Sequence, residues 1–260
     1  MPRLAANLSV LFTEVEFPRR FERAREAGFS GVECWFPYDR SPLELAQLLR
    51  ENGLEQVLFN LPAGDWSSGE RGIALLPGRV EEFRDGVCRA RDLALRLGCR
   101  QLNCLAGIAP SGADPEELRR TLLVNLRFAA EQLDEAGIRL LVEPLNTRDV
   151  PGFYLHSSAD ALALIDAAGR PNIALQYDVY HMQIMEGDLC RTIAAHMARI
   201  GHIQIADNPG RHEPGSGEIN YGFLLPWLDR AGYAGWVGCE YVPTGDTRAG
   251  LSWIRELGVA

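Results

Sequence analysis

The sequence predicts a closed (β/α)8 barrel, residues 1–260 forming one domain, on three observations. Short apolar runs alternate with longer helical patterns from one end of the chain to the other, eight of each. The runs are near-continuously apolar rather than alternating, as strands of a parallel sheet covered by helices must be. No GxGxxG or GxxxxGK[ST] follows an early strand. A doubly wound open sheet, the competing arrangement, normally carries such a phosphate loop.

The strands are expected at 4–10 (LAANLSV), 31–36 (GVECWF), 55–60 (EQVLFN) and 101–106 (QLNCLA) in the first half. The second half supplies 138–143 (IRLLVE), 173–178 (IALQYD), 201–206 (GHIQIA) and 236–240 (WVGCE). Helices fall between them near 17–27, 42–52, 80–97, 115–136, 158–168, 188–198, 221–231 and 247–257. Ser41-Pro42-Leu43-Glu44 and Asp114-Pro115-Glu116-Glu117 read as helix starts: a capping oxygen, a proline whose missing N–H costs nothing at the first helical position, and early acids. Glycines at 28, 53, 98, 137, 169 and 232 close helices. Leu118, Leu122, Leu126, Ala129 and Leu133 make one apolar stripe, and Phe83, Val87, Ala90, Ala94 and Leu97 another; both are core faces. The longest connection without periodicity, 61–79, is rich in turn formers around Trp66 and reads as a lid or binding loop, against a plain surface excursion.

Composition bounds the partners. The chain is 47% hydrophobic and 23% charged, ordinary for a globular protein with a large core. Its net charge is -9, with arginines interspersed among acids, which argues against nucleic acid because phosphate binding needs a concentrated positive patch. A metal or one local arginine can still bind an anionic substrate. No apolar stretch is long enough to span a membrane, and the amino terminus lacks a leader pattern, so a cytoplasmic location is expected. The six cysteines form no CxxC pair and read as buried free thiols, against structural zinc or disulfides. Asn7-Leu8-Ser9 matches a glycosylation acceptor only formally, since it falls in a predicted core strand. Dimer or tetramer formation stays open.

In a barrel, chemistry collects where the strands end. Strand 5 ends in Glu143, strand 6 in Asp178 and strand 8 in Glu240, while strand 7 contains Gln204 and is followed by Asp207. Carboxylates closing three apolar strands are hard to explain as packing, because burying each charge is costly without a partner. Pairing with an arginine such as Arg211, or exposure just past the strand, is the bland alternative for any one of them. Glu143, Asp178, Gln204 and Glu240 together present oxygen-rich side chains from adjacent strands. That set suits a hard divalent ion, Mg2+ or Mn2+ rather than Zn2+. Such an ion can polarise a carbonyl beside a hydroxyl, and glutamates on opposite sides of the substrate can then move a proton. His181, three residues beyond Asp178, is a candidate substrate donor or relay, or a satisfied structural histidine. Arg211, in the turn-rich segment 207–221, is a candidate carboxylate clamp, or a surface arginine that orders its loop. His212, Glu213 and Glu218 read as ordinary polar loop residues. Trp35, Phe36, Tyr38 and Trp66 are candidates for limiting the pocket, or packing residues.

The chain resembles the hydroxypyruvate isomerase family, a branch of the xylose-isomerase-like barrels, over nearly its full length. The resemblance is carried by NLSVLF (7–12), NLPAGDW (60–66), GERGIA (69–74), EPLN (143–146), VPGF (150–153), QYDVYHMQIMEGDL (176–189), GHIQIADNPGRHEPGSGEINY (201–221) and GWVGCEY (235–241). It implies interconversion of hydroxypyruvate and 2-hydroxy-3-oxopropanoate (tartronate semialdehyde). It also implies acid–base glutamates at Glu143 and Glu240, metal positions at Glu143, Asp178, Gln204 and Glu240, and substrate contacts at His181 and Arg211. One departure matters: wider sugar-epimerase relatives usually have histidine where this chain has Gln204, a weaker ligand. The same proton transfer on a four-carbon 2-oxo-tetronate or a free ketose is the nearest rival. Metal-dependent hydrolysis would call for more clustered histidines than His156, His181, His196, His202 and His212 offer. A non-catalytic binding barrel is the third reading.

Overall fold

A computed structural model describes residues 2–258. The expected domain 1–260 is therefore covered except for Met1, Val259 and Ala260, which lie outside the described residues. Eight strands close into one barrel in sequence order, each parallel to both neighbours, and β1 pairs with β8. They are β1 (Arg3–Asn7), β2 (Gly31–Cys34), β3 (Glu55–Asn60), β4 (Gln101–Cys104), β5 (Arg139–Val142), β6 (Ile173–Asp178), β7 (Ile200–Ile205) and β8 (Trp236–Cys239). Around them run α1 (Phe17–Glu26), α2 (Pro42–Asn52), α3 (Val80–Leu97), α4 (Pro115–Asp134), α5 (Ser158–Ala168), α6 (Val179–Met185), α7 (Leu189–His196), α8 (Tyr221–Arg230), α9 (Thr247–Gly250) and α10 (Trp253–Glu256). No helix among the described residues is long and apolar enough to cross a membrane.

The helices bury the stripes that the sequence marks. Leu118, Leu122, Leu126, Ala129 and Leu133 of α4 are buried, as are Phe83, Val87, Ala90, Ala94 and Leu97 of α3. Asp114 caps α4 by accepting the Glu116 N–H at 3.0 Å, whereas Ser41 makes no side-chain cap on α2. All six cysteines are free; Cys34, Cys99, Cys104 and Cys239 are buried, and Cys88 and Cys190 are half-buried.

The differences from expectation are local. Strand 1 stops at Asn7 instead of running to residue 10, because the Asn7 Oδ1 accepts the Ser9 N–H at 3.0 Å and turns the chain. Asn7 is 1% exposed, so the formal glycosylation site has no accessible amide. The expected helix at 247–257 is two single turns, α9 and α10. A short helix, α6, follows β6 directly where only a loop or first turn is expected, with Asp178 as its cap: Oδ1 accepts the Tyr180 N–H at 2.8 Å.

The barrel interior changes character along its axis. Ala5, Val57, Leu58, Leu141 and Trp236 form an apolar plug among themselves. Beyond it the interior turns polar, with Glu33, Gln56, Asn103, Gln176, His202 and Gln204 all buried. Gly238 on β8 makes room for this layer, since a Cβ there would stand 2.6 Å from the carboxyl carbon of Glu33.

Candidate active site

The polar layer ends at the carboxyl ends of the strands, in a cavity of about 270 Å³ lined by Trp35, Asn60, Trp66, Arg71, Leu105, Glu143, Leu145, Asp149, Val150, His181, Arg211 and Glu240. A larger hollow of about 580 Å³ lies at the strand beginnings, lined by residues such as Arg139, Arg170 and Ile200. That end of a barrel serves stability, so the smaller cavity is the place for chemistry.

Glu143 stands immediately after β5 and is 4% exposed. Asn103 on β4 donates to its Oε2 at 2.7 Å. Burial raises its pKa well above the ordinary 4.5, and the charges of Glu240 and Asp178 add to the shift. Glu240, just past β8, is held by three donors. Arg211 Nη2 reaches Oε1 at 2.7 Å, while Asn7 Nδ2 and Gln204 Nε2 both reach Oε2 at 2.7 Å. Its pKa is raised by burial, with Arg211 pulling the other way. Two glutamates with elevated pKa values thus face one small cavity, which is how carboxylates are tuned for proton transfer near neutral pH.

His181, on α6, has a fixed tautomer. Its Nδ1 accepts the backbone N–H of Asn146 at 3.1 Å and lies 2.7 Å from the Asn146 side-chain nitrogen. An Nδ1 that accepts leaves the proton on Nε2. Burial, with Arg211 nearby, depresses the histidine pKa well below 6.5, so the ring is a neutral Nε2–H donor. That nitrogen lies 3.6 Å from Asp178 Oδ2. Oδ2 is fully buried without a hydrogen-bond partner, and burial lifts the Asp178 pKa to about 6 although Arg211 opposes it. Glu143, Asp178 and His181 place one potential ligand atom each within 4.8 Å of one another. An orphaned carboxylate oxygen beside a second carboxylate is what a hard cation requires, so Glu143 and Asp178 fit a divalent ion, whereas His181 would have to give up its Nε2 proton to join them.

Gln204 is oriented differently from a ligand. Its oxygen accepts from Gln176 Nε2 at 2.6 Å, and its nitrogen donates to Glu240 and to Glu33 Oε1 at 2.8 Å. As arranged it grips the glutamate; presenting oxygen to an ion would require turning the amide over and giving up those bonds. Arg211, at a positive φ of 53°, pairs with Glu240 across its loop. Asp207 staples that loop by accepting from the backbone of Gly215 at 2.8 Å and Ile219 at 3.0 Å. His212, Glu213 and Glu218 make loop bonds to Val242, Thr244 and Asn208 respectively. Trp35 and Trp66 line the cavity, Phe36 packs on Trp66 at 5.0 Å, and Tyr38 stands behind, donating to the Asn60 carbonyl.

Sequence reasoning missed the support beneath Glu240. Glu33 on β2 is 1% exposed. Its Oε1 accepts from Asn7 at 3.1 Å and from Gln204, and its Oε2 lies 2.7 Å from His202 Nε2. The same two amides therefore bridge Glu33 and Glu240. The signal was present: an acid in the middle of GVECWF and a histidine in the middle of GHIQIA need each other or another partner inside a barrel.

The raised pKa of Glu143 predicts a pH-dependent stability. In the metal-free fold this group holds a proton that the unfolded chain releases above its ordinary 4.5. Stability should therefore fall as pH rises from there through the folded value. Glu143→Gln removes that loss, so in chelator the variant should melt above the wild type at about pH 8 and level with it at about pH 4. Melts that run parallel across that range would contradict the burial-driven shift.

Fold and site together define a barrel enzyme with an acidic mouth. The chain belongs to the xylose isomerase-like TIM barrel family, which it matches over residues 21–257. It is 53% identical over 254 residues to the hydroxypyruvate isomerase of Escherichia coli (strain K12), covering 98% of each chain. It is 46% identical over 255 residues to the 2-oxo-tetronate isomerase of Cupriavidus necator, again covering 98% of each. Among solved structures, one described as an AP endonuclease, family 2, from Brucella melitensis superposes with a TM-score of 0.96 at 50% identity, covering 98% of this chain and 99% of that one. The chain is an isomerase.

Proposed function

We propose that this enzyme interconverts hydroxypyruvate and 2-hydroxy-3-oxopropanoate by moving a proton between C3 and C2 through an enediolate. The observation that carries the reading is the pair of buried glutamates with raised pKa values, Glu143 and Glu240, lining one small cavity. Its volume of about 270 Å³ is below the roughly 300–1,000 Å³ of drug-sized sites, which suits a short-chain acid. One glutamate takes the proton from one carbon and returns it to the next, while the other assists transfer at oxygen. His181 donates its Nε2–H to a substrate oxygen, and Arg211 contacts the substrate from its place beside Glu240.

Glu143, Asp178 and Glu240 would hold a divalent ion, Mg2+ or Mn2+, joined by Gln204 only if its amide turns over. When bound, the ion would supply positive charge for the substrate carbonyl and adjacent hydroxyl. The substrates are small anions, and the reaction calls on no nucleic acid or membrane partner. A four-carbon 2-oxo-tetronate is the second reading, favoured by the 46% identical relative of that name. Likeness to ketose 3-epimerases, such as the D-psicose enzyme structure at 18% identity, speaks for the fold alone.

Proton NMR of hydroxypyruvate and of 2-oxo-tetronate in D2O, with the purified protein before and after chelation, tests this directly. Aldehyde formation with deuterium at the carbon that receives the proton is expected, with hydroxypyruvate the better substrate. Faster turnover of the four-carbon acid would move the substrate assignment and keep the chemistry. No exchange on either acid, even with added Mg2+ or Mn2+, would defeat it.

A further inference from the structure

Two guanidinium groups line the cavity, Arg71 and Arg211, and only one of them has an acid to answer. Arg211 is paired with Glu240 at 2.7 Å. Arg71 has no carboxylate within ion-pair range among the described residues, and its hydrogen bonds run from Nη1, to the carbonyls of Trp66 at 3.1 Å and Glu70 at 2.8 Å. Its Nε and Nη2 are left over, and these are the two parallel donors of the side-on fork that matches a carboxylate. The group is also held in place, its central carbon lying 4.0 Å over the Trp66 ring. The loop beneath it is tied internally: Glu70 accepts the Asp65 N–H at 2.5 Å and pairs with Arg79. Arg211 is already answered by Glu240, so the unpaired fork of Arg71 is the one open to a substrate carboxylate.

We propose that Arg71, stacked on Trp66 at the cavity wall, is the carboxylate-binding group of this site and selects small 2-oxo acid anions over neutral sugars of the same size. The inference deepens the isomerase reading and rests on it for the reaction, though anion binding at Arg71 can be measured without turnover. It differs from the expectation that Arg211 grips the carboxylate: Arg211 is committed to Glu240, whereas the Arg71 fork has no acid partner among the described residues.

The test uses two probes with one carbon skeleton, glycerate and dihydroxyacetone, followed by tryptophan fluorescence on the full-length protein. Arg71→Gln should raise the Kd for glycerate and the KM for hydroxypyruvate by about ten- to a hundredfold, the loss of a charge-assisted fork. Binding of dihydroxyacetone should stay within about twofold, and Arg71→Lys should recover part of the glycerate affinity without the full fork. Equal losses for both probes, the mark of a collapsed loop, would overturn the proposal, as would no loss for glycerate. A wild-type protein that binds glycerate through Arg71 yet leaves hydroxypyruvate untouched would uphold the anion site and defeat the reaction assigned to it.

Discussion

Glu240→Gln is expected to lower hydroxypyruvate turnover by roughly a thousandfold, within the range set by a positioned acid–base group, while leaving a folded protein. The substitution preserves shape and removes the capacity to carry a proton. Its structural consequences can be followed atom by atom. The carboxylate of Glu240 accepts from Arg211 on one oxygen and from Asn7 and Gln204 on the other. An amide can keep its oxygen toward the two amide donors, but its nitrogen then faces the Arg211 guanidinium, donor against donor. Arg211 should let go, which costs one charge-assisted bond. Against this stands relief from burying a carboxylate whose pKa is already raised by desolvation. The two effects oppose, so the melting temperature should move by no more than about 5 °C. Circular dichroism melts beside the NMR assay decide the matter. Turnover within tenfold of the wild type would remove Glu240 from the chemistry.

Gly238→Ala should do its damage from below. A Cβ there would stand 2.6 Å from the carboxyl carbon of Glu33; pairing on both sides fixes the Gly238 backbone, and the carboxylate can retreat only by giving up its bonds to Asn7, Gln204 and His202. Overpacking of this kind costs about 1–3 kcal/mol, and stranding a donor such as His202 adds about 1–3 more. A fall in melting temperature of roughly 5–15 °C is expected. Activity should fall too, because Asn7 and Gln204 would lose the anchor that aligns them on Glu240. The pair can be tested for common cause: Glu33→Ala combined with Gly238→Ala should cost less than the sum of the two single changes. Simple additivity would show that the glycine serves something other than the room it gives Glu33.

These residues also show what a sequence can disclose. Strand ends were legible because in a parallel barrel a run of apolar residues halts where the mouth begins, and Glu143, Asp178 and Glu240 sit at three such stops. Their partners were not legible, since Asn103 to Glu143 and Asn7 to Glu240 are contacts between strands, fixed by register and not by spacing. Asn146 illustrates the same limit, because its backbone N–H sets the His181 tautomer from 35 positions away. The helix at 179–185 is not legible because its pattern is short and its cap, Asp178, also reads as the end of an apolar strand. Arg71 sat inside a stretch marked as a binding loop, but nothing in the sequence distinguished it from Arg79, which turned out to have acid partners in Glu70 and Glu82.

The tip of the excursion at 61–79 is tied by Asp65, Glu70 and Arg79, its flanks Leu61, Ile73, Ala74 and Leu75 are buried in the core, and Glu143, Asp178 and Glu240 stand at the ends of strands elsewhere. On the proposed assignment, recognition of the charged tail and the proton-moving apparatus lie on separate stretches of polypeptide. An evolving lineage, or an engineer, could exchange that tip, leave its buried flanks in place, and redirect the catalyst toward longer or uncharged molecules without rebuilding its reactive heart.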